Sequence, residues 1–169
     1  MQMTHYFHPG LEPGNLNRRS QHSIRYERFG EVIRYLTLEE LQNLFDSIDN
    51  YKHKLMFEVI YELGCRVGEF VRIQVKHLSF NRSTVFFPAE NTKTKHARIS
   101  YLPKGLINEI KSMLKQKGLM NKRGDKVQIP EAYLFHSGRR WNRHYTENRI
   151  RQIFQVYVTN PTFAVRHLN

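Results

Sequence analysis

Two apolar helical runs separated by one glycine are the feature that most restricts how this chain can fold. The first run has apolar residues at the spacing of one helix face: Leu55, Met56, Val59, Ile60 and Leu63. Gly64 is placed to end that helix in the left-handed conformation, which glycine adopts without strain. The helical pattern then resumes with Val67, Phe70, Val71 and Val75. The sequence therefore predicts two packed helices joined by a tight turn.

Arg66 lies just after this turn, near the first residue of the second helix, and Glu69 follows it at i, i+3. At that spacing a carboxylate can hold a guanidinium in place, which is an arrangement suited to phosphate binding. The simpler interpretation is a salt bridge on a helix surface, since such pairs are common and weak. Features elsewhere in the sequence are needed to distinguish these two interpretations.

Three further helices are predicted from periodicity and end signals. The first covers about residues 38–48 and opens with a capping box made by Thr37 and Glu40. The second covers 104–117 and ends at Gly118, and the third covers about 146–157. All of these are amphipathic, so they are expected to pack against one core.

A change of period marks the one β region predicted in the chain. Residues 84–88 are β-branched and aromatic, residues 98–102 alternate, and the polar segment 90–96 lies between them. This pattern indicates a β-hairpin with a lysine-rich tip, which on its own is compatible with a solvated turn. The expected fold class is mainly α with a small β-hairpin or sheet (α+β).

The charge of the chain indicates a polyanionic partner. Lys and Arg number 27 against 15 Asp and Glu, which gives a net charge of +12, and nucleic acid is the first candidate. The apolar runs are short and carry charges, so we expect no membrane span, no signal peptide and a cytoplasmic location. Residues 1–34 are basic and rich in Pro and Gly, and are expected to be either a solvated linker or an arm along DNA.

The single cysteine and the scattered histidines predict no disulfide, metal or other cofactor. Cys65 has no partner for a disulfide, and its expected role is packing; a thiol activated by the neighbouring Arg66 is the alternative. The nine histidines show no metal-binding spacing.

Four segments together resemble the tyrosine recombinases, the phage integrase and Xer family. The opening at residues 35–40 and the Gly-Cys-Arg-Val-Gly-Glu string resemble the start of that catalytic domain and its "TGLR-x-x-E-L" box. Thr92-Lys-Thr-Lys-His-Ala-Arg98 resembles the "TKTK-x-x-R" segment, and Phe163-Ala-Val-Arg-His167 resembles the "H-x-L-R-H" box. The resemblance covers residues 35–169, which are expected to form part of a catalytic domain.

The resemblance implies a double-stranded DNA substrate, cleaved and rejoined through a 3′-phosphotyrosyl link in site-specific recombination and in the integration of mobile elements. It implies that Arg66 and Arg166 bind the scissile phosphate, with Glu69 and His167 supporting them. Lys93 is the expected general acid, with Lys95 as the alternative. Self-association into a tetramer on DNA is also implied. Further DNA contacts are expected from Lys95, Arg98, Arg139, Arg140 and Arg143. Trp141, in the same loop, is expected to pack in the core or at a hinge rather than to stack on a base.

Two features depart from the family pattern. The first histidine of the "H-x-L-R-H" box is replaced by Phe163, which can neither donate nor accept a proton. The family's nucleophilic tyrosine lies some tens of residues after the second arginine, and the sequence ends three residues after Arg166. We therefore expect the chain to stop before its nucleophile. A DNA-binding module or regulator without catalysis is the second possibility, and a generic basic RNA- or ribosome-binding protein is the third.

Overall fold

The computed structural model of the chain describes residues 25–28, 31–34, 36–138 and 140–159. The chain divides into two compact units, residues 1–41 and 42–169. The order of elements is β1 (Arg25–Arg28), β2 (Glu31–Arg34), α1 (Leu38–Asp46), α2 (Tyr51–Leu63), α3 (Val67–Val71), β3 (Leu78–Ser79), β4 (Thr84–Phe87), β5 (Arg98–Tyr101), α4 (Lys104–Gln116) and α5 (Glu147–Val158). The expected mainly helical α+β fold is confirmed.

The first unit contains a short antiparallel hairpin that the sequence analysis did not predict. Strands β1 and β2 pair with Arg25 opposite Arg34 and Arg28 opposite Glu31. Four-residue strands with so many charged residues give little periodic signal, which is why this segment was expected to be an arm without regular structure.

The predicted capping box starts α1. The backbone N–H of Thr37 donates to Glu40 Oε2 at 2.7 Å, and the N–H of Glu40 donates to Thr37 Oγ1 at 3.1 Å. The helix ends at Asp46, two residues before the predicted end, because the N–H of Ile48 bonds back to Phe45 and tightens the last turn. Helix boundaries commonly vary by this amount.

The core of the second unit is built on α2. Three of its apolar residues, Leu55, Met56 and Val59, are fully buried, and α4 packs against the same helix. From α4, Ile110 and Leu114 are also fully buried. Burying an aliphatic side chain of this size contributes about 1.5–3 kcal/mol, so this helix pair is the main support of the unit.

The predicted hairpin forms, and a third short strand extends it into a sheet of order β3-β4-β5. Strands β4 and β5 are antiparallel with Phe87 opposite Arg98 and Thr84 opposite Tyr101. Val85 and Phe87 point into the core and Phe86 points out, as period-2 alternation requires. This register brings the start of β5 next to α2, with which β5 is in contact.

Candidate functional site

The turn between α2 and α3 presents Arg66 to solvent. Gly64 ends α2 in the left-handed conformation with φ of 54°, and its N–H donates to the carbonyl of Tyr61, as predicted. Arg66 then occupies the N-cap of α3, and its side chain is 61% exposed. The glycine turn thus ends α2 two residues before the N-cap of α3 at Arg66, and it leaves the guanidinium at the surface.

Glu69 lies beneath Arg66 and is only 4% exposed. Its Oε2 accepts a hydrogen bond from the backbone N–H of Arg66 at 3.1 Å, and its Oε1 lies 3.6 Å from the Arg66 guanidinium. Burial by itself would raise the pKa of this carboxyl. The hydrogen bonds from the Arg66 backbone and from Arg98 outweigh burial, so the pKa of Glu69 is lowered and the group is ionised at neutral pH.

Arg98, at the start of β5, supplies the second cation on Glu69. Its Nη2 donates to Glu69 Oε2 at 2.7 Å and its Nη1 donates to Ser100 Oγ at 2.6 Å. The guanidinium also stacks on the Phe87 ring at 4.0 Å from the ring centre. Arg98 thus ties the sheet to the α2–α3 turn. Its predicted contact with DNA stays a prediction.

Cys65 is buried beside this ion-pair network. Burial, followed by the negative charge of Glu69, raises the pKa of its thiol to about 12. Reactive cysteines have lowered pKa values, so this thiol is not activated by Arg66. The packing interpretation of Cys65 agrees with the structure.

The loop between β4 and β5 carries Lys93 and Lys95 toward Arg66. Thr92 is buried, and its hydroxyl lies 3.0 Å from the carbonyl oxygens of both Ala89 and His96, which closes the base of the loop. Lys93 and Lys95 follow this anchor and are exposed. Lys95 has a positive φ of 58°. An anchored base with exposed lysines beyond it gives the ammonium groups freedom to reach a ligand.

Helix α5 adds two residues that the sequence analysis missed. Arg151 Nη2 bonds to Glu147 Oε2 at 3.0 Å, one turn apart on α5. Glu147 in turn lies against Gly68 of α3, where a Cβ atom would come within 2.7 Å of its Oε1. The i, i+4 spacing of Glu147 and Arg151 is sufficient to predict an ion pair on one face of a helix. Its placement at Arg66 depends on the packing of α5 on α3.

These groups surround an open cleft with a volume of about 640 Å³. The basic residues that line it are Arg66, Arg72, Lys93, Lys95 and Arg151. Three acidic residues also line it: Glu69, which is buried, Glu147, which is paired with Arg151, and Glu90. The cleft is therefore positively charged on balance, and it combines guanidiniums with exposed ammonium groups. This combination suits a phosphate ligand.

The other predicted residues lie outside the cleft or outside the described residues. Arg140 and Arg143 are exposed on the loop before α5 and do not line the cleft. Trp141, expected to pack, is instead 39% exposed on that loop. The loop runs along the surface, and the backbone carbonyl of Trp141 bonds to Tyr133. Arg139, Phe163, Arg166 and His167 lie outside the described residues.

The described residues form a mainly helical α+β fold with a basic cleft, and comparison with known proteins gives the family. Residues 34–164 match the phage integrase family, so the chain belongs to that family of tyrosine recombinases. Its structure is similar to the crystal structure of XerA recombinase, with a TM-score of 0.58 and 17% sequence identity. That match covers 78% of this chain and 44% of XerA recombinase, so this chain spans less than half of that protein. A search of curated proteins found no significant match.

Within the part of the chain that the structure describes, no helix has both the length and the apolar character needed to cross a bilayer.

Proposed function

We propose that the chain is the DNA-binding catalytic-domain portion of a site-specific tyrosine recombinase, with residues 35–169 in the catalytic domain and residues 1–34 as a basic arm. In the complete enzyme a tyrosine hydroxyl attacks a DNA phosphodiester, which gives a 3′-phosphotyrosyl link and a free 5′-hydroxyl. The bond energy is kept in that link until the strand is rejoined. Several copies would assemble on paired DNA sites.

The observation that carries this proposal is the placement of Arg66. Its guanidinium is held by an ionised, buried carboxylate and faces a cleft that it shares with Lys93. A surface salt bridge would have an exposed glutamate, whereas Glu69 is 4% exposed and bonds three groups of Arg66 and Arg98. Burying the charged carboxylate of Glu69 costs desolvation free energy. A phosphate-binding role for Arg66 explains why the protein holds the guanidinium with a buried charge.

In this mechanism the roles follow from the chemistry of each side chain. Arg66 and Arg166 neutralise the charge that develops on the non-bridging oxygens of the scissile phosphate. Lys93 protonates the leaving 5′ oxygen, because an ammonium on an anchored loop can approach that atom and release a proton. Lys95 is the alternative donor. Glu69 and His167 position the arginines.

A DNA-binding module without catalysis is the second candidate. Phe163 favours it, because this residue stands where the family has a proton-transferring histidine. This candidate keeps the basic cleft and the DNA ligand but predicts no covalent step.

Covalent trapping on nicked duplex DNA tests whether this chain carries out the covalent step itself. The protein is incubated with nicked duplexes that carry candidate sites, denatured, and examined on a gel for a protein–DNA adduct. An adduct means that a tyrosine of this chain attacks, so the chain is an enzyme. DNA binding without an adduct supports a DNA-binding module that has no covalent step of its own. A chain that binds no duplex DNA at low salt contradicts both.

Where an adduct forms, Arg66→Ala tests the role of the arginine. Loss of one preorganised donor is expected to reduce the adduct yield about 100- to 1,000-fold. DNA affinity should fall much less. Arg123→Ala removes the same charge from the exposed loop after α4 and is the control. Equal losses of binding and cleavage for Arg66→Ala would contradict the assigned role.

A further inference from the structure

A second group of basic side chains lies at the end of α4 and the start of α2, apart from the Arg66 cleft. Lys52 Nζ donates to the carbonyl of His136 at 3.1 Å and to Tyr145 Oη at 2.7 Å. Lys117 Nζ lies 3.3 Å from His136 Nε2. Two lysines thus contact the same residue, Lys52 at the backbone carbonyl of His136 and Lys117 at its ring.

The hydrogen bonds of His136 fix its protonation state. Its Nδ1 lies 3.0 Å from the carbonyl oxygen of Gly138, and a carbonyl can only accept, so Nδ1 carries the proton. Nε2 is then the acceptor for Lys117. Burial and the neighbouring Lys117 lower the pKa of His136, which keeps the ring neutral. The imidazole therefore supplies no negative charge to the two lysines.

The two ammonium groups are not balanced by a carboxylate. Among the described residues, neither Lys52 nor Lys117 takes part in an ion pair. Burial, and then the charge of Lys52, lower the pKa of Lys117 to about 8. Two nearby cations in a partly desolvated place repel each other, and an anion between them would relieve that repulsion.

Hydrogen-bond donors remain free at this point for such an anion. An ammonium has three N–H bonds; within the part of the chain that the structure describes, Lys52 uses two of them and Lys117 uses one. Tyr145 accepts from Lys52, so its own O–H can still donate. A tetrahedral anion with several acceptor oxygens matches this set of donors.

The cluster is linked to the Arg66 cleft by the segment that leads into α5. Tyr145 belongs to the cluster and Glu147 lines the cleft, and the Cα atoms of two residues at this spacing are at most about 7 Å apart. A nucleic-acid strand that runs from the cleft along this segment reaches the cluster, so a phosphate of that strand is a suitable anion.

We propose that Lys52, Lys117 and Tyr145 form a second phosphate-binding site, which takes a backbone phosphate of the strand bound at Arg66. The identity of the strand rests on the proposed function. The affinity of the cluster for phosphate does not, and it is tested separately.

The first experiment uses inorganic pyrophosphate as the ligand and measures the reactivity of individual lysines. The full chain is acetylated with limiting acetic anhydride at pH 8, with and without pyrophosphate, and each lysine is quantified by mass spectrometry. Pyrophosphate should slow acetylation of Lys52 and Lys117 severalfold, because a bound anion covers the amines and raises the pKa of Lys117. Lys122, which is exposed on the loop after α4, should be unaffected.

The second arm uses duplex DNA and the variants Lys52→Gln, Lys117→Gln and Lys122→Gln at pH 7. Each lost phosphate contact should reduce the slope of log affinity against log salt by about 0.9. We expect this change in the first two variants and none in the third. Lys117→Arg keeps the charge and should restore the slope, and thermal unfolding without ligand shows that each variant is folded.

The outcomes separate the two possible sources of phosphate. Protection by pyrophosphate together with reduced slopes supports the proposal. Protection with unchanged slopes shows a site for free phosphate and overturns the strand as its ligand. Absence of both effects overturns the site altogether. If the unmodified chain binds no duplex DNA, the proposed function fails, and the pyrophosphate arm alone decides whether the cluster binds phosphate.

Discussion

At the scale of single residues, Glu69 determines what Arg66 can do. An exposed arginine samples many rotamers, and each ordered rotamer costs entropy. The buried carboxylate bonds the backbone of Arg66 and lies against its guanidinium, while Arg98 keeps that carboxylate charged. Arg66 is thereby held in a limited range of positions before any ligand arrives.

Replacing Glu69 by Gln is expected to destabilise the protein by about 2 kcal/mol, since it removes charged hydrogen bonds from a buried position. The value stays moderate because the Arg98 side chain is 35% exposed and keeps part of its hydration. Urea unfolding at pH 7 measures the change. Glu62→Gln, on the exposed side of α2, is the control and should change stability by less than about 0.5 kcal/mol.

The pH dependence of this difference follows from the lowered pKa of Glu69. A carboxyl whose pKa is lower in the folded state stabilises folding fully above its ordinary pKa of 4.5. That stabilisation is lost as the pH falls through the folded-state value. The stability gap between the unmodified protein and Glu69→Gln should therefore shrink below pH 4.5. A gap that is constant from pH 7 to pH 3 would contradict the ionised state of Glu69.

The lowered pKa of Lys117 predicts that the stability of the folded protein changes with pH in the alkaline range as well. Its pKa is about 8 in the folded protein against an ordinary 10.5, so the unfolded chain binds this proton more tightly. The resulting destabilisation is fully present below pH 8 and disappears as the pH rises to 10.5. The stability of the unmodified protein relative to Lys117→Met should therefore increase over that interval. Lys115→Met, an exposed position on α4, should show no such trend.

At the scale of elements, the contact between α3 and α5 completes the cleft. The absence of a side chain at Gly68 lets the Glu147 carboxylate approach α3, and Glu147 holds Arg151. The anchored β4–β5 loop brings Lys93 to the same cleft. The basic groups of the cleft thus come from three separate elements, each fixed by its own packing.

Gly68→Ala is expected to weaken DNA binding with little loss of stability. The added Cβ would lie 2.7 Å from Glu147 Oε1, so the flexible end of Glu147 must move and release Arg151. The helix itself gains up to about 1 kcal/mol from alanine, which offsets that strain. Binding to duplex DNA and thermal unfolding measure the two effects.

Gly105→Ala is the matched control for this prediction. Gly105 lies in α4, and a Cβ there meets no atom within 4 Å. Stability should rise by about 0.5 kcal/mol and DNA binding should not change. Equal DNA affinities for Gly68→Ala and Gly105→Ala would show that Arg151 is not needed in the cleft.

At the scale of the whole molecule, charge sets the conditions under which the protein meets its ligand. The net charge of +12 attracts a polyanion from any direction, and this attraction is screened over about 10 Å at 0.1 M salt. The cleft concentrates five basic residues at one place. In the proposed function, general attraction brings DNA to the protein and the cleft orients it.

The affinity for duplex DNA should fall steeply with salt. The five basic residues of the cleft alone predict a slope of about −4.5 for log affinity against log salt, and further phosphate contacts make the slope steeper. Fluorescence anisotropy with a labelled duplex between 50 and 300 mM salt measures it. Arg66→Ala should reduce the slope by about one unit, and Arg123→Ala should leave it unchanged. A preference for structured RNA over duplex DNA would instead favour the RNA- or ribosome-binding alternative.

The sequence alone determined the features whose signals are local. The Gly64 turn, the Thr37–Glu40 capping box and the β4–β5 period each depend on residues within a few positions of one another, so they could be predicted and were confirmed. The end of α1 lies two residues before the predicted one, because the last turns of helices respond to their neighbours. The local spacing of Arg66 and Glu69 also indicated Arg66 as a candidate phosphate-binding residue.

Only the tertiary structure decided the depth at which Glu69 is buried, its second bond to Arg98, and the arrival of Arg151 and Glu147 at the cleft. The same is true of the meeting of Lys52 with His136 and Tyr145, which are 84 and 93 residues away in the chain. Such contacts depend on how helices pack on one another. Sequence periodicity tells which face of a helix is buried, and packing alone tells what that face, or its edge, will touch.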